Sequence, residues 1–128
     1  EGLLQILKNC PKQIVIITHI NHPNELIDEN QRLLSRLAND HLIFNQSVLL
    51  RSVNNNPDTL AELSHKLFAS RVIPYYLHKL DHVLGAEFYY LSQSEINAIY
   101  DSLKARISGY LLPRLVTEIA GQASKTPL

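Results

Sequence analysis

The chain has 128 residues, 12 basic and 12 acidic side chains and 45% hydrophobic residues. That suffices for one domain with a buried core, and it lacks the charge excess that drives binding to nucleic acid or an anionic membrane. No apolar run reaches the roughly 18 residues of a membrane span, and the opening stretch EGLLQILKNC lacks the cleavage site of a secretory signal.

A single cysteine, Cys10, leaves no internal disulfide and fits a reducing, cytoplasmic compartment. It is also too few thiolates for an iron–sulfur cluster held by this chain alone. Methionine is absent, and the chain reads as a segment of a longer protein.

Leu3, Leu4 and Leu7 stand at helical spacing and Pro11 stops them, which predicts the end of a helix. Gln13–Ile20 is a near-continuous β-branched run, the pattern of a strand buried in a parallel sheet. Asn21–Glu25 is loop by composition, and Leu26, Leu33, Leu34 and Leu37 then mark a helix. His41–Phe44 opens a second strand. Asn45-Gln46-Ser47 interrupts it with polar groups, and Val48–Leu50 resumes it or begins a turn.

Asn56 and Pro57 supply an N-cap and a first helical residue for a helix carrying Leu60, Leu63 and Leu67. Arg71–Leu80 begins as a strand with Asp81 at its end, and Gly85 marks a turn. Ser92 and Glu95 form a capping box before a stripe of Ile96, Ile99, Tyr100, Leu103 and Ile107. Gly109 reads as a left-handed helix stop, Tyr110–Val116 as a fourth strand whose Pro113 belongs at an edge or at its start, and the rest as a loop.

Alternating strands and helices give an α/β chain of β/α units with a parallel sheet and right-handed crossovers. Four strands make half of an eight-stranded barrel or a small open sheet, with an unpaired edge at the first strand that invites a second copy. In such folds strand C-termini share the ligand-binding face. His19, Asn21, Asn45 to Ser47, His78, Asp81, and Glu118 through Lys125 all fall there.

His19 and His22, three apart at a strand end, tend to opposite sides, and no neighbouring Cys or Asp completes a metal set. Asp81 and Glu118 are two acids at strand ends, suited to a cationic group or simply solvated. Lys125, on a loop past the last strand, fits a Schiff-base amine or a solvated lysine near a frayed tail. Glycine-rich phosphate loops and nucleophile elbows are absent from the sequence.

Four stretches, HINHPNE (His19–Glu25), NQSVLLRSVN (Asn45–Asn54), PYYLHKLD (Pro74–Asp81) and GYLLPRLVTEIAGQASKTPL (Gly109–Leu128), together resemble the C-terminal half of the lysine 2,3-aminomutase family. The similarity is greatest to the short bacterial branch that makes (R)-β-lysine for translation elongation factor P. The resemblance implies the C-terminal portion of a partial (β/α) barrel over residues 1–128. The N-terminal half with the three-cysteine [4Fe–4S] loop would lie outside the chain.

It also implies S-adenosylmethionine (SAM) and pyridoxal phosphate (PLP) as cofactors, L-lysine as substrate and β-lysine as product. Lys125 matches the PLP-binding lysine, His19 and Gln46 match contacts to SAM, and His78 matches a position between the two cofactors. Asp81 and Glu118 match the acids that bind the substrate ε-ammonium. Glu at 118, where free-lysine enzymes carry Asp, favours the elongation-factor branch. Phe88-Tyr89 stands where the family usually has His-Phe, a departure affecting local substrate contacts. The chain alone is expected to be inactive. The alternatives are a non-catalytic, degenerate aminomutase-like interaction module and an unrelated β/α enzyme half with a phosphate-binding last loop.

Overall fold

A computed structural model of the chain describes residues 2–81, 84–117 and 124–128. Helix α1 (Gly2–Asn9) leads into strand β1 (Val15–His19) and a 3-10 turn (Pro23–Glu25). Then come α2 (Asp28–Leu37), β2 (Leu42–Leu49), α3 (Pro57–Ala69) and β3 (Ile73–Lys79). A second 3-10 turn (Glu87–Tyr89), α4 (Gln93–Lys104), β4 (Arg114–Thr117) and β5 (Thr126–Pro127) complete the order.

The sheet runs β1-β2-β3-β4-β5, with β1 to β4 parallel and β5 antiparallel to β4. Strand order follows chain order without reversal, so every crossover turns the same way and the helices collect on one face. This is the winding of a (β/α) barrel rather than of a doubly wound sheet, whose strand order reverses.

Two buried clusters fill the helix side. One joins Leu26, Leu34, Leu37, Ile43, Leu63, Leu67 and Val72, with Leu4 and Leu7 of α1 packed against it. The other joins Leu49, Leu60, Leu77, Leu91, Ile96, Leu103 and Leu115. Fully burying a leucine or isoleucine is worth about 1.5–3 kcal/mol, so these two clusters hold the sheet to its helices. The opposite face has no helix on it among the described residues. Val15, Ile17, Leu42 and Ile73 point there and stay roughly 40–55% exposed.

Several local expectations are corrected. Asn45-Gln46-Ser47 does not interrupt β2, which runs unbroken to Leu49 with alternating burial. Asn45 and Ser47 are buried on the helix face at 1% and 4% exposure, and Gln46 alone turns to the open face. Asn21–Glu25 is not plain loop. His22 Nδ1 accepts the Asn24 N–H at 3.0 Å, and Glu25 caps back onto the backbone of Asn21 and His22. Leu26 precedes its helix, which starts at Asp28.

Gly109 is not a left-handed cap: α4 already ends at Lys104, and Gly85, at φ +89°, is the positive-φ glycine of the described residues. The fourth strand is shorter than Tyr110–Val116, because Pro113 lacks the N–H that pairing requires and the ladder begins after it. The tail is not all loop: Thr126 and Pro127 pair with Thr117 and Val116, and the Leu128 N–H reaches Leu115 O at 3.0 Å. The caps at Asn56 and Ser92 form as expected.

Helix α4 is held at both ends. Tyr100 Oη donates to Pro113 O at 2.6 Å, and desolvation pushes its phenol above the ordinary tyrosine range. Arg106, past its C-terminus, pairs with Asp58 at the start of α3. Glu95 in its first turn lies below the ordinary glutamate range, chiefly through the hydrogen bond from the Ser92 backbone N–H, with Arg51 adding to the effect. A depressed folded-state value contributes stability above the unfolded pKa and loses it as pH falls through the folded one. Glu95→Gln is therefore expected to flatten the acid side of the stability profile below about pH 4.3, where an ordinary glutamate is more than half protonated. Urea midpoints measured across that range check this, and an unchanged acid slope would contradict it.

Candidate functional site

Parallel pairing sets the site. His19 pairs with Gln46, Gln46 with Tyr76, and Tyr76 with Arg114, so these four side chains share the open face in one row that runs from the last residue of β1 to the first of β4. His78 stands two residues beyond Tyr76 on the same face, with their rings 5.7 Å apart. Lys125 comes to that face from the other end of the chain. Its Nζ lies 5.5 Å from the centroid of the Tyr76 ring, a cation–π contact, and the pairing of Thr126 with Thr117 fixes the lysine's backbone beside it.

Four of the six residues singled out from sequence, His19, Gln46, His78 and Lys125, are thus gathered on one surface. Asp81 follows β3 at the rim and is exposed. Glu118 lies outside the described residues, as do Gly121 to Ala123. His22 is occupied as a turn cap, and among the described residues no group of three His, Cys, Asp or Glu side chains could hold a metal ion.

The sequence reading missed Tyr75 and Tyr76. Pairing between β2 and β3 slips between Asn45 and Gln46: Asn45 meets Pro74, Gln46 meets Tyr76, and Tyr75 is the extra residue of a bulge. Two consecutive tyrosines therefore lie on the open side, with Tyr75 5.2 Å from the Phe44 ring and 4.5 Å from that of Tyr76. The result is an aromatic lane from Phe44 to His78. A proline inside a strand otherwise read as central is the signal that would have found the bulge.

Three asparagines on or behind the helix face hold the row in place. β1 ends at His19, and the side-chain amide of Asn45 continues its ladder. Oδ1 accepts the Ile20 N–H at 2.9 Å and the Thr18 hydroxyl at 2.7 Å, and Nδ2 donates to Ile20 O at 3.0 Å. Asn21 Oδ1 accepts the Val48 N–H at 2.8 Å. Asn54, fully buried, donates to both Asn21 O and Val48 O at 2.8 Å and accepts the Leu50 N–H at 2.8 Å. The segments after β1 and β2 are thereby locked together where a backbone ladder is no longer available.

By fold, the chain is a run of β/α units around a mostly parallel five-stranded sheet. A radical SAM methyltransferase from Sphaerobacter thermophilus superposes with a TM-score of 0.68 over 91% of this chain and 37% of its own, at 18% identity. By sequence, the chain belongs to the lysine 2,3-aminomutase family. It is 44% identical over its whole length to L-lysine 2,3-aminomutase of Escherichia coli and 46% identical over 94% of its length to that of Haemophilus influenzae. It is 40% identical over 87% of its length to that of Clostridium subterminale. The chain spans 38%, 36% and 27% of those relatives' lengths, respectively. No family model matches it.

Replacing Asn45 by alanine would strand the part-buried Ile20 N–H and C=O, an expected loss of about 1–2 kcal/mol. Chemical denaturation should register this, with the Ile20 amide losing protection from hydrogen exchange first. A loss below about 0.5 kcal/mol would show that water replaces the amide without cost.

Proposed function

We propose that the chain is the C-terminal part of a radical SAM lysine 2,3-aminomutase, which moves the α-amino group of L-lysine to the β-carbon. The observation that carries this reading is the meeting of Lys125 with the Tyr76–His78 lane, on the face that also presents His19 and Gln46. His19 lies near one end of the chain and Lys125 near the other, so only the winding of the sheet unites them.

The residues present fit a flat, amine-reactive cofactor. A half-buried primary amine stands over an aromatic ring, with further rings alongside. Bound there, PLP and SAM would supply, respectively, a π-system that stabilises an unpaired electron during nitrogen migration and the hydrogen-abstracting 5′-deoxyadenosyl group. The chain does not fit an iron–sulfur cluster: Cys10 is its single cysteine and lies before β1, at the end of the sheet away from the row. The cluster loop belongs to the remaining length of the whole protein, and the chain alone is inactive.

Each residue then has a role of its own. Lys125 would hold PLP through its side-chain amine. Tyr76 and Tyr75 wall off water on the sheet side. His19 and Gln46, paired across adjacent strands, present polar atoms to SAM. Asp81 and Glu118 bind the distal ammonium of lysine and so set which carbon faces the reacting group. Glu at 118 supports the branch whose β-lysine is passed on for modification of translation elongation factor P.

The apolar floor of Val15, Ile17 and Leu42 and the free edge of β1 favour a second reading, a non-catalytic module that binds a partner or a second copy there. Two variants of the full-length protein separate the readings. Lys125→Ala is expected to abolish both the near-ultraviolet to violet absorbance of bound PLP and β-lysine formation. Covalent PLP and turnover in that variant would assign the cofactor to another lysine. Asp81→Asn is expected to weaken lysine binding by about 1.5–3 kcal/mol, read as a raised KM. Unchanged discrimination between lysine and alanine would remove Asp81 from the site.

A further inference from the structure

We infer that Tyr76 is a positioning residue for Lys125: its ring holds the lysine ammonium beside the site while a substrate amine occupies the cofactor in its place. This role rests on the functional reading given above.

Two described lysines set their ammonium against a tyrosine ring. Lys104 lies 5.7 Å from the Tyr100 centroid, but these are neighbours one turn apart on α4, where helix geometry alone brings them together. Lys125 and Tyr76, at 5.5 Å, are far apart in sequence and meet only through the sheet. Tyr76 pairs with Arg114, Leu77 with Leu115 and His78 with Val116. On the other side of β4, Val116 pairs with Pro127 and Thr117 with Thr126. The Leu128 N–H adds its bond to Leu115 O at 3.0 Å. One three-strand ladder thus fixes both the ring and the backbone immediately after Lys125.

The ring has packed neighbours of its own. Those of Tyr75 and His78 lie 4.5 and 5.7 Å from it, each tilted 66° to its plane. Tyr76 and Lys125 are both half-buried. Beyond its anchored backbone a lysine has four rotatable bonds, and an ammonium with nothing to hold it spreads over many rotamers. An aromatic face within about 6 Å gives one of those positions a preference. For Nζ to give up its bond to PLP, an incoming primary amine must take its place and pass two protons to Nζ. Nζ leaves as a primary amine and gains a third proton from water, and no oxidant or reductant enters. The ring of Tyr76 then keeps that ammonium aside from the substrate and within reach for its return.

The test uses the PLP-loaded full-length protein without SAM, so that no turnover occurs. L-Lysine or ethylamine is added in increasing amounts, and borohydride fixes whichever amine is bonded to PLP. Mass spectrometry reads the fraction of the Lys125 peptide that carries a pyridoxyl group. The amine concentration that halves this fraction is expected to rise about fivefold in Tyr76→Leu, with either amine, because the displaced ammonium loses its contact. It should move by less than about twofold in Tyr76→Phe, which keeps the ring face. Ethylamine has neither a carboxylate nor a second ammonium, so its effect reports on Lys125 and not on substrate contacts. If Tyr76→Leu yields no folded protein, Tyr76→Met, of similar bulk and without a ring, takes its place with the same expectation.

An unchanged or lowered concentration without the ring, or a rise seen with L-lysine but not with ethylamine, overturns the role of Tyr76 and leaves Lys125 as the cofactor's amine. An equal rise in Tyr76→Phe overturns it too, since the hydroxyl and not the ring would then carry the effect. A wild-type protein with no pyridoxyl group on Lys125 overturns the functional reading itself, and the role of Tyr76 with it.

Discussion

Parallel strands wound always in the same direction must place their crossover helices on one side of the sheet. From that constraint follow both faces of this domain. The side toward α1 to α4 is dry, with Ile43, Leu49, Leu67, Leu77 and Leu103 almost wholly buried. The other side has no helix among the described residues, and His19, Gln46, His78 and Lys125 stand on it, with Asp81 at its rim. The two-residue alternation of β2 shows how closely the roles are interleaved. Asn45 and Ser47 serve the fold, and Gln46 between them faces the site.

The polar part of the dry side relies on amides, not charges. Asn45 and Asn54 are almost fully buried, and they bond to backbone groups of the segments after β1 and β2, with the Thr18 hydroxyl as a side-chain addition. A primary amide carries a donor and an acceptor in the arrangement of a peptide group, so it can extend a ladder past the end of a strand. A carboxylate there would lose the donated bonds and bury a charge. This matters for His19, which is the last residue of β1. Without Asn45, the chain after it has no partner strand to hold it.

Periodicity made the alternation of strands and helices legible, together with the caps at Asn56 and Ser92. Composition misled at Asn45 to Ser47, where polarity was read as interruption although one residue in two faces inward to waiting backbone groups. Gly109 misled for a related reason: a glycine near a helix end suggests a left-handed cap, but α4 had already ended at Lys104. The bulge at Tyr75 depends on how two strands pair, and only Pro74 hints at it within one strand. The gathering of His19, Gln46 and Lys125 followed from the shared face of parallel strand ends, whereas the return of the tail as β5 is a tertiary event with two residues of pattern to announce it.

The open face is itself divided along the strands. Toward their N-terminal ends it is apolar and exposed, with Val15, Ile17, Leu42 and Ile73. Toward their C-terminal ends it carries His19, Gln46, Tyr76, His78 and Lys125. An apolar floor left in water gains nothing for the folded state, at about 25 cal/mol per Å² forgone, and its persistence beneath a polar rim argues for enclosure. A relative of which this chain spans 38% has ample polypeptide to cover it. Covering the floor would also dry the rim above, and an amine set against an aromatic ring is most useful where water is kept from the reacting atoms. The exposed Val15, Ile17, Leu42 and Ile73 of the floor and the lysine above it thus share one face, and covering that face would serve both.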